Sequence, residues 1–346
     1  AKKFMHKYGV ACAASVTCET AADALAEIDR INGPVVVKAD GLAAGKGVVV
    51  APDSETAARA VRDFMVDSTL GSAGRKVVVE EYLEGEEISI LAAVSVAPYL
   101  TAAGKSRILP FVTARDHKRL KDGAQGPNTG GMGAIAPAPG VDASVLERFR
   151  TDILEPTLRG LCAEGYDYRG FIFFGVMVTS SGPKLLEYNV RLGDPETQAV
   201  LPLMESDFAS LCEAIIDGKL DSFNLSWKPG YVCAPVAVSR GYPGSYPKGL
   251  PIAIDEPSVS AAGGKIFIAG GTVNARASGS RLGEASAEPG QLVTSGGRVL
   301  ASSAFGSTVD EARERAYRAL ESVGFDGMFF RRDIGLPGAA VSGHLS

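Results

Sequence analysis

The sequence predicts an α/β (α+β) protein with two lobes and a strand-rich C-terminal domain. Three observations carry that expectation. Runs of β-branched residues alternate with amphipathic stretches through residue 84, the pattern of strands interleaved with helices. A glycine-punctuated loop, GLAAGKG (41–47), lies between two such runs, PVVVK and GVVVA. Beyond residue 228 strand signals dominate, until one amphipathic stretch near the end.

In chain order, VACAASV (10–16) reads as a strand, and Thr20 followed by Asp23 resembles a capping signal for a helix through about Ile31. PVVVK (34–38) and GVVVA (47–51) are strands on either side of the glycine loop. Ser54 opens a helix whose Ala58, Val61 and Met65 share a face, and KVVVEEYL (76–83) closes the first lobe. That lobe spans 1–84, with a short linker helix at its start. EEISILAAVSV opens the second lobe, 85–227. Residues 113–133, TARDHKRLKDGAQGPNTGGMG, break all periodicity; a polar, glycine-rich stretch of that length is functional or disordered. VLERFRTDILEPTLRGLCAEG is a helix, FIFFGVMV (171–178) and KLLEYNV (184–190) are strands joined by TSSGP, and FASLCEAIIDGKL is a further helix. The turn-like SFNLSWKPG (222–230) marks a boundary to the C-terminal domain, 228–335. There Thr308 and Glu311 fit a capping box. The tail 336–346 is small and polar and is expected to fray.

With 346 residues, 46% hydrophobic and 22% charged, the chain is long enough for two or three domains. A net charge of −5 argues against a general nucleic-acid surface. No run approaches a membrane span, and AKKFMHKYGV lacks the apolar core of a signal peptide, so a cytoplasmic location is expected. Five scattered cysteines without a C-x-x-C pair read as reduced, packed thiols.

Lys38 and Lys46 bracket the glycine loop, and glycine-rich backbone beside lysine is a common polyphosphate grip. Walker A geometry is excluded, because no Ser or Thr follows Lys46 and Val48, Val49 and Val50 prefer strand to helix. A flap over a triphosphate and an ordinary tight hairpin both remain open from this stretch alone. In VVEEYLEGEEI the strand edge could offer backbone groups to an adenine, or form a solvated acidic turn. In KLLEYNVRLGDPETQ, Glu187 and Asn189 are two apart on a strand and share a face, which suits a hard cation completed by substrate phosphates. Arg191 continues that face with a fork suited to phosphate or carboxylate. In GPNTGGMGA, Gly126, Gly130, Gly131 and Gly133 surround Asn128 and Thr129, so that a ligand can approach the backbone closely.

In order and spacing, KADGLAAGKGV, EEYLEGEE, DHKR, GPNTGGMGA and EYNVRLGDPETQ resemble the glycinamide ribonucleotide synthetase family of the ATP-grasp superfamily, from residue 1 to about 335. The resemblance implies an ATP-grasp fold, two lobes clasping ATP, and ligation of glycine to 5-phosphoribosylamine with ATP cleaved to ADP and phosphate. It implies ATP and Mg²⁺, or Mn²⁺, as cofactors. Lys38 would contact phosphate, and Gly41, Gly45, Lys46 and Gly47 would belong to the flap. Glu80, Tyr82, Leu83 and Glu87 would form the adenosine hinge, with Glu187 and Asn189 as metal ligands. Asp116, Asn128, Thr129, Gly130, Gly131, Met132, Arg191 and Asp194 would line the substrate side, with Lys38 and Arg191 stabilising the developing charge. Many ATP-grasp enzymes place another metal-binding glutamate where this chain aligns Gly175. Family members also carry an N-terminal α/β domain, expected to pack on the ATP-grasp core, and this chain is expected to start after it. Another ATP-grasp carboxylate–amine ligase and a non-catalytic ATP-binding remnant are the rival expectations.

Overall fold

The structure, a computed structural model, describes residues 1–41, 47–274, 288 and 290–339. Gly45 and Lys46, expected in the flap, lie outside the described residues.

After a helix over Lys2–Tyr8 come the strands of a small antiparallel sheet: β1 (Ser15–Cys18), β2 (Val35–Ala39), β3 (Val48–Ala51) and β4 (Val77–Glu81), in the order β1-β4-β2-β3. Because side chains alternate along a strand, Val35, Val37, Val77 and Val79 face one way. They pack with Ile28 and Phe64 from the covering helices. The opposite face carries Val36, Lys38, Val78 and Glu80, and Glu80 sits directly across from Val36. Thr20 caps the helix Ala21–Ile31 by accepting the Asp23 N–H at 3.1 Å. Asp53, one residue before the expected start, caps Ser54–Val61 through the Thr56 N–H.

The large sheet has eight strands. They are β5 (Glu86–Val96), β6 (Arg107–Asp116), β9 (Gly133–Ala136), β10 (Tyr168–Thr179), β11 (Gly182–Asn189), β12 (Tyr231–Val238), β14 (Gly264–Ile268) and β17 (Arg298–Gly306). A hairpin of β7 (Arg119–Lys121) and β8 (Gln125–Asn128) precedes β9, while β13 (Ala253–Ile254), β15 (Gly271–Val273) and β16 (Leu292–Thr294) form short pairs beyond β12. The order of the eight is β11-β10-β5-β6-β9-β12-β17-β14. β5 is buried on both faces. Ile88, Ile90 and Val94 pack under the helical segment carrying Phe149 and Ile153, whereas Leu91 and Ala93 meet Leu203, Leu211 and Ile215. Double-sided burial explains the nearly unbroken apolar run of this strand. Among the described residues, no helix is long and apolar enough to cross a membrane.

Several boundaries differ from expectation for physical reasons. Residues 10–14 do not form the expected strand: Ala11 donates to Asp152 O and accepts from Leu185 N, so this segment is drawn along the large sheet, and the strand begins at Ser15. Residues 113–133, expected to lack periodic structure, instead contain the end of β6, the β7–β8 hairpin and the start of β9. Strong turn residues masked those short strands. The expected helix 145–165 begins at Ala143, capped by Asp142, and passes through a π-helical turn at Arg150–Leu154 before Glu155–Ala163. At the last helix Thr308 accepts from Glu311 N, but the Glu311 carboxylate reaches Ser307 N rather than closing the box on Thr308.

Phe174 anchors one face of the large sheet, fully buried and edge-on to Phe149 at 5.4 Å and to Tyr188 at 5.5 Å. Phe174→Ala should therefore cost about 3–5 kcal/mol in urea unfolding. A loss below about 1 kcal/mol, the size of an average substitution, would contradict this packing.

Candidate functional site

The Glu80 carboxylate emerges from the middle of the small sheet with only 1% of its side chain exposed. One oxygen lies 3.1 Å from Lys38 Nζ and the other 3.2 Å from Lys2 Nζ. A lone buried carboxylate would be costly, and two ammonium groups more than neutralise it. Lys2 Nζ is sealed from solvent while the Lys38 side chain stays 17% exposed, so any attraction of the cluster for an anion acts through Lys38. Glu80, expected to hold adenosine, uses its side chain for the lysines instead, while its backbone lies within the sheet between β1 and β2. Lys2 was missed by sequence reasoning. It stands in the first turn of a helix, with no motif around it, and only the tertiary contact reveals it.

The connection from β4 to β5 carries Tyr82 and Leu83. Leu83 is buried against Ala13, Met177 and Leu186, which fixes this hinge to β10 and β11. At Gly85 a Cβ would come within 2.2 Å of Val178 O, so only glycine permits the approach. Glu87, expected in the adenosine hinge, is ion-paired with Lys118. Burial alone would lower the Lys118 ammonium, but the Glu87 charge and hydrogen bond, with Asp116 and Glu187 nearby, raise it above its ordinary value. Gly41 donates to Ala73 O and Gly47 accepts from Ala39 N, so both ends of the glycine loop are anchored by backbone bonds.

On β11, Glu187 and Asn189 share a face, and Asn189 Nδ2 donates to Glu187 Oε1 at 2.8 Å. Gly175 of β10 pairs directly with Glu187, where a Cβ would meet Glu187 Cγ at 3.3 Å. A third side-chain oxygen is therefore lacking at that point. Among the described residues no group of three or more His, Cys, Asp or Glu side chains is placed to hold a metal ion. One exposed carboxylate plus an amide oxygen still fits a hard cation whose remaining ligands are phosphates and water.

The loops expected to hold substrate converge farther along the large sheet. Gly131 is wedged between two groups: a Cβ there would lie 2.5 Å from Pro195 Cδ and 2.7 Å from Asp116 Oδ1. That Asp116 oxygen is sealed from solvent without a hydrogen-bond partner. Burial, and then the Glu196 charge, hold the Asp116 carboxyl well above the usual range. Glu196 is raised by burial as well and accepts from Ser89 at 2.9 Å. Thr129 turns its hydroxyl inward, donating to Lys118 O at 2.7 Å and accepting from Gly131 N at 3.0 Å. Asn128 ends β8 opposite Arg119. Met132, expected on the substrate side, is fully buried in a core with Cys233, Val236 and Ile334, and its N–H and C=O are bonded to His117 and Val236. It supports the loop from beneath. Arg191 is exposed and donates to Leu192 O. Beside Asp194 opens a cavity of about 520 Å³, walled by Thr197 and Gln198 on one side and by Lys265 and Phe267 on the other. Two further residues from the C-terminal part reach these loops: Arg298 bonds Gly130 and Asp194, and Tyr242 accepts from Gly130 N at 2.8 Å. Neither had a sequence signal, since each stands in an ordinary strand or turn.

Comparison with known proteins places this geometry in context. Residues 1–197 match the family described as phosphoribosylglycinamide synthetase, ATP-grasp (A) domain, and residues 232–337 match its C domain. A phosphoribosylamine–glycine ligase of Clostridium acetobutylicum is 46% identical over 334 residues, covering 96% of this chain and 74% of the relative. Its Vibrio cholerae counterpart is 43% identical, with 96% and 72% covered. The crystal structure of the phosphoribosylamine–glycine ligase of Thermotoga maritima superposes with a TM-score of 0.79 at 34% identity, over 96% of this chain and 77% of that one. The biotin carboxylase domain of Hydrogenobacter thermophilus 2-oxoglutarate carboxylase shares the fold at 15% identity, with a TM-score of 0.65 over 95% and 66% of the two chains.

Glu80→Gln would leave Lys2 and Lys38 facing each other without a counter-ion, and should cost ~3 kcal/mol or more. Added inorganic tripolyphosphate should recover more of that loss in the variant than it stabilises the unaltered protein, as read by thermal unfolding. Equal responses in both proteins would contradict an anion grip here.

Proposed function

The chain belongs to the phosphoribosylglycinamide synthetase family, and on that premise we propose how its own residues perform the family's ADP-forming ligation of glycine, a step of purine biosynthesis. The observation that carries the reading is the coincidence of a two-lysine anion grip, a Glu–Asn oxygen pair and a sealed acidic pocket within a chain matched to both family domains. ATP is the phosphoryl donor, glycine is the phosphoryl acceptor, and 5-phosphoribosylamine is the amine that is then acylated.

The adenine edge is read by backbone between Glu81 and Leu83, and the triphosphate lies against Lys38, with Lys2 behind it sharing the Glu80 carboxylate. Glu187 and Asn189 would hold the divalent cation, Mg²⁺ or Mn²⁺. A cation there supplies charge neutralisation between phosphate groups. Asp116 offers its orphaned Oδ1 to the glycine ammonium, and the arriving positive charge offsets the burial that disfavours its ionised form. Gly130 and Gly131 let the substrate lie against backbone. Arg191 swings from Leu192 O to the reacting carboxylate. One oxygen of that carboxylate attacks the γ-phosphorus and ADP leaves, giving glycyl phosphate. The phosphoribosylamine nitrogen then attacks the carbonyl carbon, phosphate departs with the carboxylate oxygen, and the amine loses a proton. No protein nucleophile is required, because positioning and charge neutralisation supply the catalysis.

An apolar hollow of about 240 Å³ among Phe4, Leu161, Tyr166 and Tyr188, with Val190 72% exposed, supports the expectation that a further domain packs on this core.

Multiple-turnover ADP release should require glycine and 5-phosphoribosylamine together. Equal release with either alone would contradict the ligase reading. Glu187→Gln should lower turnover by more than ~10-fold, a loss of charge stabilisation above about 1.4 kcal/mol, and should raise the Mg²⁺ concentration needed for half-maximal rate. An unchanged magnesium profile would remove Glu187 from the cation site.

A further inference from the structure

We propose that Arg298 is a positioning residue for the ligation, locking the glycine-rich loop and the Asp194 loop into a single acceptor pocket. The inference rests on the functional reading above but assigns a residue which that reading does not need. Arg298 opens β17, in the C-terminal part of the chain, and only 21% of its side chain is exposed. Its Nη1 donates to Gly130 O and, at 2.6 Å, to Asp194 O, while Nη2 donates to Asp194 Oδ2 at 3.0 Å. One planar guanidinium therefore binds three oxygens on two loops 64 residues apart in sequence (194 − 130). Tyr242 takes the Gly130 N–H, so both backbone groups of Gly130 are held from the C-terminal side.

The clamp acts on what lies next to it. Gly131 follows Gly130 and Pro195 follows Asp194; between them, Gly131 is pressed against Pro195 and Asp116 with no room for a Cβ. If either loop drifted, the separation between the Gly131 backbone and the sealed Asp116 oxygen would change, and with it the pocket for the acceptor. Lysine cannot replace the arginine, because a single ammonium lacks the rigid fork that meets these oxygens at once. The lysine grip at Glu80 lies on the small sheet and shares no contact with Arg298. A loss confined to the acceptor side is thus the mark of positioning.

The test uses the full chain with Arg298→Gln, Arg298→Lys and Tyr242→Phe. Both Arg298 variants should raise KM for glycine by about tenfold or more, as expected when a positioning contact is lost, and leave calorimetric binding of Mg·ATP within about twofold. Tyr242→Phe should move the same constant in the same direction by less. If Arg298→Gln does not fold, the lysine and Tyr242→Phe variants carry the measurement. Unchanged glycine KM, or parallel losses of glycine and nucleotide affinity, would overturn the proposal. Absence of glycine-dependent ADP release in the unaltered protein would instead defeat the ligase reading itself.

Discussion

A buried carboxylate held between two ammonium groups governs the small lobe. The Glu80 side chain, buried in the interior of a sheet, is matched by Lys2 and Lys38, which approach its two oxygens from different parts of the chain. This contact ties the first helix to β2 and β4 and leaves the cleft one positive charge in excess. The strand alternation that buries Val35, Val37, Val77 and Val79 on one face obliges Lys38 and Glu80 to point to the other. Core packing and anion grip are thus the two faces of one set of strands.

The loops around Gly130 and Asp194 are organised differently: they are disciplined by β12, β17 and the segment after β17 rather than by the lobe they grow from. His117 shows how tightly: it is fully buried, its Nε2 faces the N–H of Gly335 and its Nδ1 the carbonyl of Gly133. Burial, and then the neighbouring Arg331 charge, push its pKa down to about 3, so the imidazole is a neutral structural link at ordinary pH. Arg331, with no exposed surface, joins Asp333 to the carbonyls of Arg119 and Ala339. The hairpin leading into the glycine-rich loop is therefore pinned by the chain's last described turns. The two-lysine cluster thus stands on the small sheet, and the loops around Gly130 and Asp194 stand with the large one.

Much of this was legible in the sequence where a local rule decides the outcome. The Thr20 cap, the helix from Ser54, the paired strands around TSSGP and the common face of Glu187 and Asn189 all follow from neighbours within a few residues. The glycine-rich and NVRLGDPET stretches pointed to the family because short backbone-approach motifs leave a dense local signature. What failed was non-local. Residues 10–14 were captured by hydrogen bonds to Asp152 and Leu185, which no propensity encodes. Met132 was drawn into a core by strands that lie about a hundred residues later in the chain. Lys2, Tyr242 and Arg298 became visible only when their partners were brought to them. Glu80 was expected at the adenosine hinge, but its side chain pairs with Lys2 and Lys38, because the centre of a sheet has no room for an unpaired carboxylate.

All these features converge on one chemical claim: the cleft activates a carboxylate by giving it a phosphoryl group before the amine attacks. Transfer of oxygen isotope tests that claim directly. With glycine labelled by ¹⁸O in its carboxylate, each turnover should release inorganic phosphate carrying one labelled oxygen from glycine. Phosphate released without label, while ligated product accumulates, would contradict an acyl phosphate and with it this account of the site.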